Sequence, residues 1–106
     1  MHHSLILQER WQTLSLVEQM ANIGSDVERA LRWREKGNSN SERLAVERAL
    51  ELLDFTLDDR KNRGRLKEVA RVREFVVDYF LGENIYGSDA AGWRKYFYGF
   101  AYLARK

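Results

Sequence analysis

The 106 residues carry 18 Lys and Arg against 16 Asp and Glu, a formal +2 that by itself demands no polyanionic partner. The absence of cysteine excludes disulfides, thiolate catalysis and cysteine-ligated zinc, and the absence of proline favours long uninterrupted helices. No apolar run approaches the ~20 residues that span a bilayer, and no basic segment leads into an apolar signal core, so residues 1–106 read as one soluble, cytoplasmic, all-α domain with no membrane partner.

Leu7, Trp11 and Leu14 recur at helical steps, so residues 4–14 either extend the next helix or pack as a short separate turn. His2 and His3, the only histidines, read as part of a terminal tail. Ser15 followed three residues later by Glu18 is a capping-box spacing, and it opens a helix expected to end at Gly37. Val17, Met20, Ala21, Gly24, Val27 and Leu31 share its inner face. Gly24 costs about 0.8–1 kcal/mol there relative to Ala, which points to close approach by another helix; a kink at 25–28 is the alternative.

The polar run 37–41 reads as a loop ending in caps for a second helix over about 42–60, with Val46, Ala49, Leu50, Leu53 and Leu57 inward. Asn62-Arg63-Gly64 makes a turn. A third helix, with Leu66, Val69, Ala70, Val76, Val77 and Phe80 inward, stops at Gly82, so the two form an antiparallel hairpin. After an irregular stretch over 82–87, Ser88 or Asp89 caps a fourth helix to about Arg105, with Trp93, Phe97, Phe100 and Ala104 on one stripe. The expected architecture is a four-helix up-and-down bundle, residues 4–14 being an extra helical turn or an extension.

No standard metal-ligand spacing, nucleophile with its base, or phosphate-cradling glycine loop is present, which weighs against an enzyme. Serines 15, 25, 41 and 88 all fit helix caps. Glu47, Glu51, Asp54 and Asp58 form one stripe on the second helix, and Glu74 and Asp78 lie a turn apart on the third. A hairpin turning near 62–63 would set Asp58 by Lys67, Asp54 by Arg71, Glu51 by Glu74 and Glu47 by Asp78. The last four acids are then candidate magnesium ligands, since hard cations take several carboxylate oxygens. Solvated acids paired with Arg43, Arg48 and Arg73 are the plainer alternative.

Arg60, Lys61, Arg63, Arg65, Lys67, Arg71 and Arg73 crowd the turn and the start of the third helix, a candidate nucleic-acid surface partly neutralised by Asp58, Asp59, Glu68 and Glu74. Six aromatics within 93–102 exceed what one buried stripe holds. Tyr98 and Tyr102 should therefore stand partly exposed and, with Tyr86 in the preceding loop, are candidate partner-binding residues.

The segment Leu14–Trp33, with Ala49-Leu-Glu-Leu-Leu-Asp54 and Asp78-Tyr-Phe80, resembles an uncharacterised group of short prokaryotic helical proteins, which implies a fold but no activity. Size and helix count are similar to HEPN domains. The Arg and nearby His of their ribonucleases have no counterpart, because no histidine follows position 3. The acid pairs loosely resemble MazG-type all-α pyrophosphohydrolases. That resemblance implies Glu47, Glu51, Glu74 and Asp78 as ligands of a magnesium cofactor polarising a triphosphate, although the doubled glutamate is absent and the second pair is one residue wider. The leading expectation is a non-enzymatic interaction module without cofactor, a homodimer or the small member of a hetero-complex, working through the fourth helix and the loop before it. The alternatives are a magnesium-dependent pyrophosphohydrolase and a weak nucleic-acid binder through residues 60–73.

Overall fold

The computed structural model describes the backbone of residues 2–105 and the side chains of residues 7–105. Helix α1 (His2–Trp11) is followed by α2 (Leu16–Glu35), α3 (Ser39–Leu57), a 3-10 helix (Arg60–Arg65), α4 (Leu66–Val76) and α5 (Ala90–Arg105). A π turn (Val77–Leu81) continues α4, and no strand occurs among the described residues. None of these helices is long and apolar enough to cross a membrane.

The capping box at Ser15 forms as its spacing predicts. The Ser15 Oγ accepts from the Glu18 backbone N–H at 3.1 Å, and Glu18 Oε1 accepts from the Ser15 N–H at 2.9 Å. Because Ser15 is extended (φ −68°, ψ 163°), α2 starts afresh, and of the two alternatives for residues 4–14 the separate helical piece is the one that forms, longer than a single turn. Their helix α1 begins at His2, so the tail expected there is helical; the His2 and His3 side chains lie outside the described residues. Trp11, at its end, is buried.

α2 is the central element. It packs along α3 on one side and α5 on the other, α4 lies on α3, and α4 and α5 make little backbone approach to each other. Ion pairs join neighbouring helices: Arg34 of α2 meets Glu42 at the start of α3 at 3.1 Å, Asp54 of α3 meets Arg73 of α4 at 2.7 Å, and Arg94 early in α5 meets Glu28 and Glu35 of α2 at 2.9 and 3.1 Å. The result is an all-α helical bundle. Gly24 explains how closely α2 and α5 come together, since a Cβ there would stand 2.8 Å from the Phe97 Cβ. α2 runs without a break through 25–28.

Other local expectations shift by a few residues. Asn38 caps α3, its Oδ1 accepting from the Ser41 N–H at 3.0 Å, so residues 39–41 are helical. α3 ends at Leu57, and the following turn is a 3-10 helix with Asn62 buried. Leu52 and Thr56 join Val46, Ala49 and Leu53 in the core, whereas Leu50 and Leu57 are half-buried. Asp89 caps α5, its Oδ1 accepting from the Gly92 N–H at 2.7 Å, and Ala104 is exposed. Of the four serines read as caps only Ser15 is one; Ser25 and Ser41 lie inside helices, and Ser88 pairs with Asn84.

Candidate functional site

Because α4 and α5 stay apart, the bundle is open on one side, and a cleft of about 390 Å³ lies there. Val72 and Phe75 of α4, Tyr86 and Ser88 of the loop, and Trp93 and Tyr96 of α5 line it. The rings largely satisfy one another: Tyr86 stacks on Phe75 with centroids 4.5 Å apart and planes 9° apart, and Trp93 stacks on Phe97 at 5.9 Å. At one end the Tyr96 hydroxyl of α5 donates to Glu68 Oε2 of α4 at 3.0 Å. Glu68 also pairs with Arg65, and that guanidinium, followed by the phenol, holds its carboxyl below the usual range. Burial and the nearby Glu68 charge push the Tyr96 phenol up.

The loop forming the rim is fixed by backbone chemistry. The π turn places Asp78 so that its carboxylate accepts from the N–H groups of Ile85 and Tyr86 at 2.8 and 3.1 Å, while its carbonyl accepts from Gly82 and Asn84 at 3.2 and 3.0 Å. Asn84 sits in the left-handed region (φ 55°) and its side chain closes a ring of hydrogen bonds with Ser88. Gly87 also needs positive φ (68°), which glycine adopts without a steric cost. Tyr86 is thus presented on a preformed loop, its hydroxyl donating to Glu74 Oε2 at 3.3 Å.

α5 shows a second feature on its outer side. Tyr98 is 62 % exposed, Tyr102 48 % and Leu103 53 %, and the two tyrosines stack at 6.5 Å. Tyr98 also lines a groove of about 440 Å³ between α2 and α5, with Gly24 and Phe97 in the wall and Arg29 and Arg32 beside it.

The acid quartet is not brought together as the hairpin pairing implied. The register differs from the expected one, since Asp54 meets Arg73 and not Arg71. Asp78 accepts from two loop amides and Glu74 from the Tyr86 hydroxyl, whereas Glu47 and Glu51 make no hydrogen bond or ion pair among the described residues. Among those residues no group of three or more His, Asp or Glu is placed to hold a metal ion. Of the seven cations, Lys61 pairs with Asp59, Arg65 with Glu68 and Arg73 with Asp54; Arg60, Arg63, Lys67 and Arg71 have no acid partner among the described residues.

Sequence reasoning missed a buried polar network at the opposite end of the molecule. Gln19 Nε2 donates to the Trp11 carbonyl at 3.0 Å and to Asp59 Oδ2 at 2.9 Å. Asn62 Nδ2 donates to Gln19 Oε1 and the Thr56 carbonyl, and Trp11 Nε1 donates to Thr56 Oγ1 at 2.8 Å. Burial raises the Asp59 carboxyl, but the Lys61 and Gln19 hydrogen bonds together hold it below its ordinary value. Every member is satisfied, so this network is a structural latch joining α1, α2, α3 and the 3-10 helix.

Fold and site together define an all-α helical bundle with an aromatic cleft on its open side. No protein-family model matches the chain, and no curated protein or solved structure proves similar to it.

Proposed function

We propose that this chain is a non-enzymatic interaction module that pairs with a second copy of itself through the outer side of α5. One observation carries the reading. All but one of the large hydrophobic side chains exposed among the described residues lie between Leu81 and Leu103, Leu44 being the exception. Exposed apolar surface gathered in one stretch of chain, with aromatics prominent, is the composition of a protein interface. Tyr98, Tyr102 and Leu103 supply it on α5.

Sedimentation of the full chain over a range of concentrations tests this. The wild type should run as a dimer, and a Tyr98→Glu, Leu103→Glu variant should run as a monomer with an unchanged far-ultraviolet helical spectrum. A wild type that stays monomeric at every concentration rules the reading out.

A further inference from the structure

We propose that the cleft between α4 and α5 is a binding site for a small organic anion, an apolar body of one or two rings bearing a carboxylate. The site is separate from the self-association surface and does not rest on it. At about 390 Å³ the cleft falls in the range that holds small ligands, about 300–1,000 Å³. Its wall is aromatic and aliphatic, and its rim is preorganised by the Asp78 and Asn84 hydrogen bonds, so little ordering is left for a ligand to induce.

The polar groups decide the sign of the ligand's charge. Both acids in the lining are already engaged: Glu68 holds Arg65 and the Tyr96 hydroxyl, and Asp89 caps α5. The unmet groups are both donors. Arg71, the basic residue of the lining, has no acid partner among the described residues. Trp93 is only 6 % exposed, and its Nε1 is buried with no acceptor, which is unusual because a buried indole N–H ordinarily finds one. The first turn of α5, reached through Ser88, Asp89 and Gly92, adds the positive end of a sixteen-residue helix. An acceptor-bearing anion meets these demands.

The test is titration of the full chain with 2-naphthoate, 2-naphthamide and 2-naphthylmethylammonium, followed by calorimetry and by amide and indole proton–nitrogen spectra. The Trp93 indole signal is identified by its loss in Trp93→Phe. Naphthoate should bind and shift the Trp93 indole together with the Gly87, Ser88 and Gly92 amides. The amide and the cation should bind at least about tenfold more weakly, and Arg71→Gln should weaken naphthoate by at least about tenfold while leaving the thermal midpoint unchanged. The same result is expected in the Tyr98→Glu, Leu103→Glu variant, whose changes lie outside the cleft, so failure here and failure of self-association are read independently. Equal binding of the three probes, preference for the cation, shifts confined to Ala21, Gly24 and Ala101 of the other groove, indifference to Arg71→Gln, or no binding of naphthoate each overturns the proposal.

Discussion

A methyl group added at Gly24 would sit 2.8 Å from the Phe97 Cβ and 2.9 Å from its ring, closer than real carbon atoms come. Gly24→Ala gains about 1 kcal/mol of helix propensity but overpacks the α2–α5 seam by about 1–3 kcal/mol. The expected net effect is a loss of up to about 2 kcal/mol and a thermal midpoint lowered by up to several degrees. Gly99→Ala is the internal control, because nothing lies within 4 Å of a Cβ there, and it should stabilise by up to about 1 kcal/mol. Thermal unfolding of the two variants checks both signs, and equal stabilisation would mean the seam has slack. The close approach at Gly24 was legible from its place on the apolar stripe, although the identity of Phe97 as the neighbour was not, since periodicity carries no information about partners. Asp26 is a residue-scale oddity of another kind. Burial raises its pKa, with Arg48 and then Arg29, whose Nη1 lies 2.6 Å away, pulling the other way. The folded chain therefore holds a proton that the unfolded chain releases at about its ordinary 3.8, and stability falls as pH rises through that window. Asp26→Asn should raise the midpoint at neutral pH and lose that advantage in acid below 3.8; an advantage equal at both pH values would contradict the assignment.

At the scale of elements, α1 is held by few contacts, which makes its one buried side-chain hydrogen bond to α3 decisive. Trp11 Nε1 donates to Thr56 Oγ1, which in turn donates to the Leu52 carbonyl at 2.8 Å. Thr56→Val keeps the shape but leaves the indole N–H buried without an acceptor, a cost of about 1–3 kcal/mol. Hydrogen exchange should show α1 losing protection before α2 and α3 do, and uniform loss across all helices would mean that α1 does not open separately. Such elements divide by how local their cause is. The Ser15 capping box and the Gly82 stop depend on neighbours in sequence, and both were readable. The π turn at 77–81 was not, because one extra residue in a turn is stabilised by what the loop returns to it: the amides of Ile85 and Tyr86 on the Asp78 carboxylate. For the same reason Asp78 was mistaken for half of a metal pair. Its spacing from Glu74 is correct for a shared helix face, but each of its oxygens accepts from a backbone amide seven or eight residues on. Of the candidate site, the exposure of Tyr98 and Tyr102 followed from too many aromatics for one stripe and Tyr86 was singled out by its place in the loop, while the cleft between α4 and α5 had no signature in either helix alone.

The whole molecule is closed differently at its two ends and along its open side, and this sets how it should respond to pH. Glu28 is held below its ordinary 4.5 chiefly by hydrogen bonds from Arg94, Glu68 chiefly by Arg65, and Asp59 below 3.8 by Lys61 and Gln19 against its burial. A carboxylate with a depressed folded-state pKa contributes stability above its unfolded value and loses it as pH falls through the folded one, so these pairs fail together in acid, below about pH 4. The alkaline limit has a different origin. Tyr96 spans the open side to Glu68, and burial, followed by that carboxylate's charge, lifts its phenol above the ordinary 10.0. Once pH passes 10 the unfolded chain gives up this proton while the folded chain retains it, so stability declines with rising pH from that point. Tyr96→Phe removes both the titration and one hydrogen bond worth about 1 kcal/mol. Its midpoint should lie a few degrees below the wild type at neutral pH, and the two curves should converge above pH 10, because the variant has no Tyr96 proton to lose while the other tyrosines titrate in both. Curves that stay parallel from pH 7 to 11 would show that the Tyr96–Glu68 bond does not hold α5 against α4, and the open side would then owe its spacing to the loop alone.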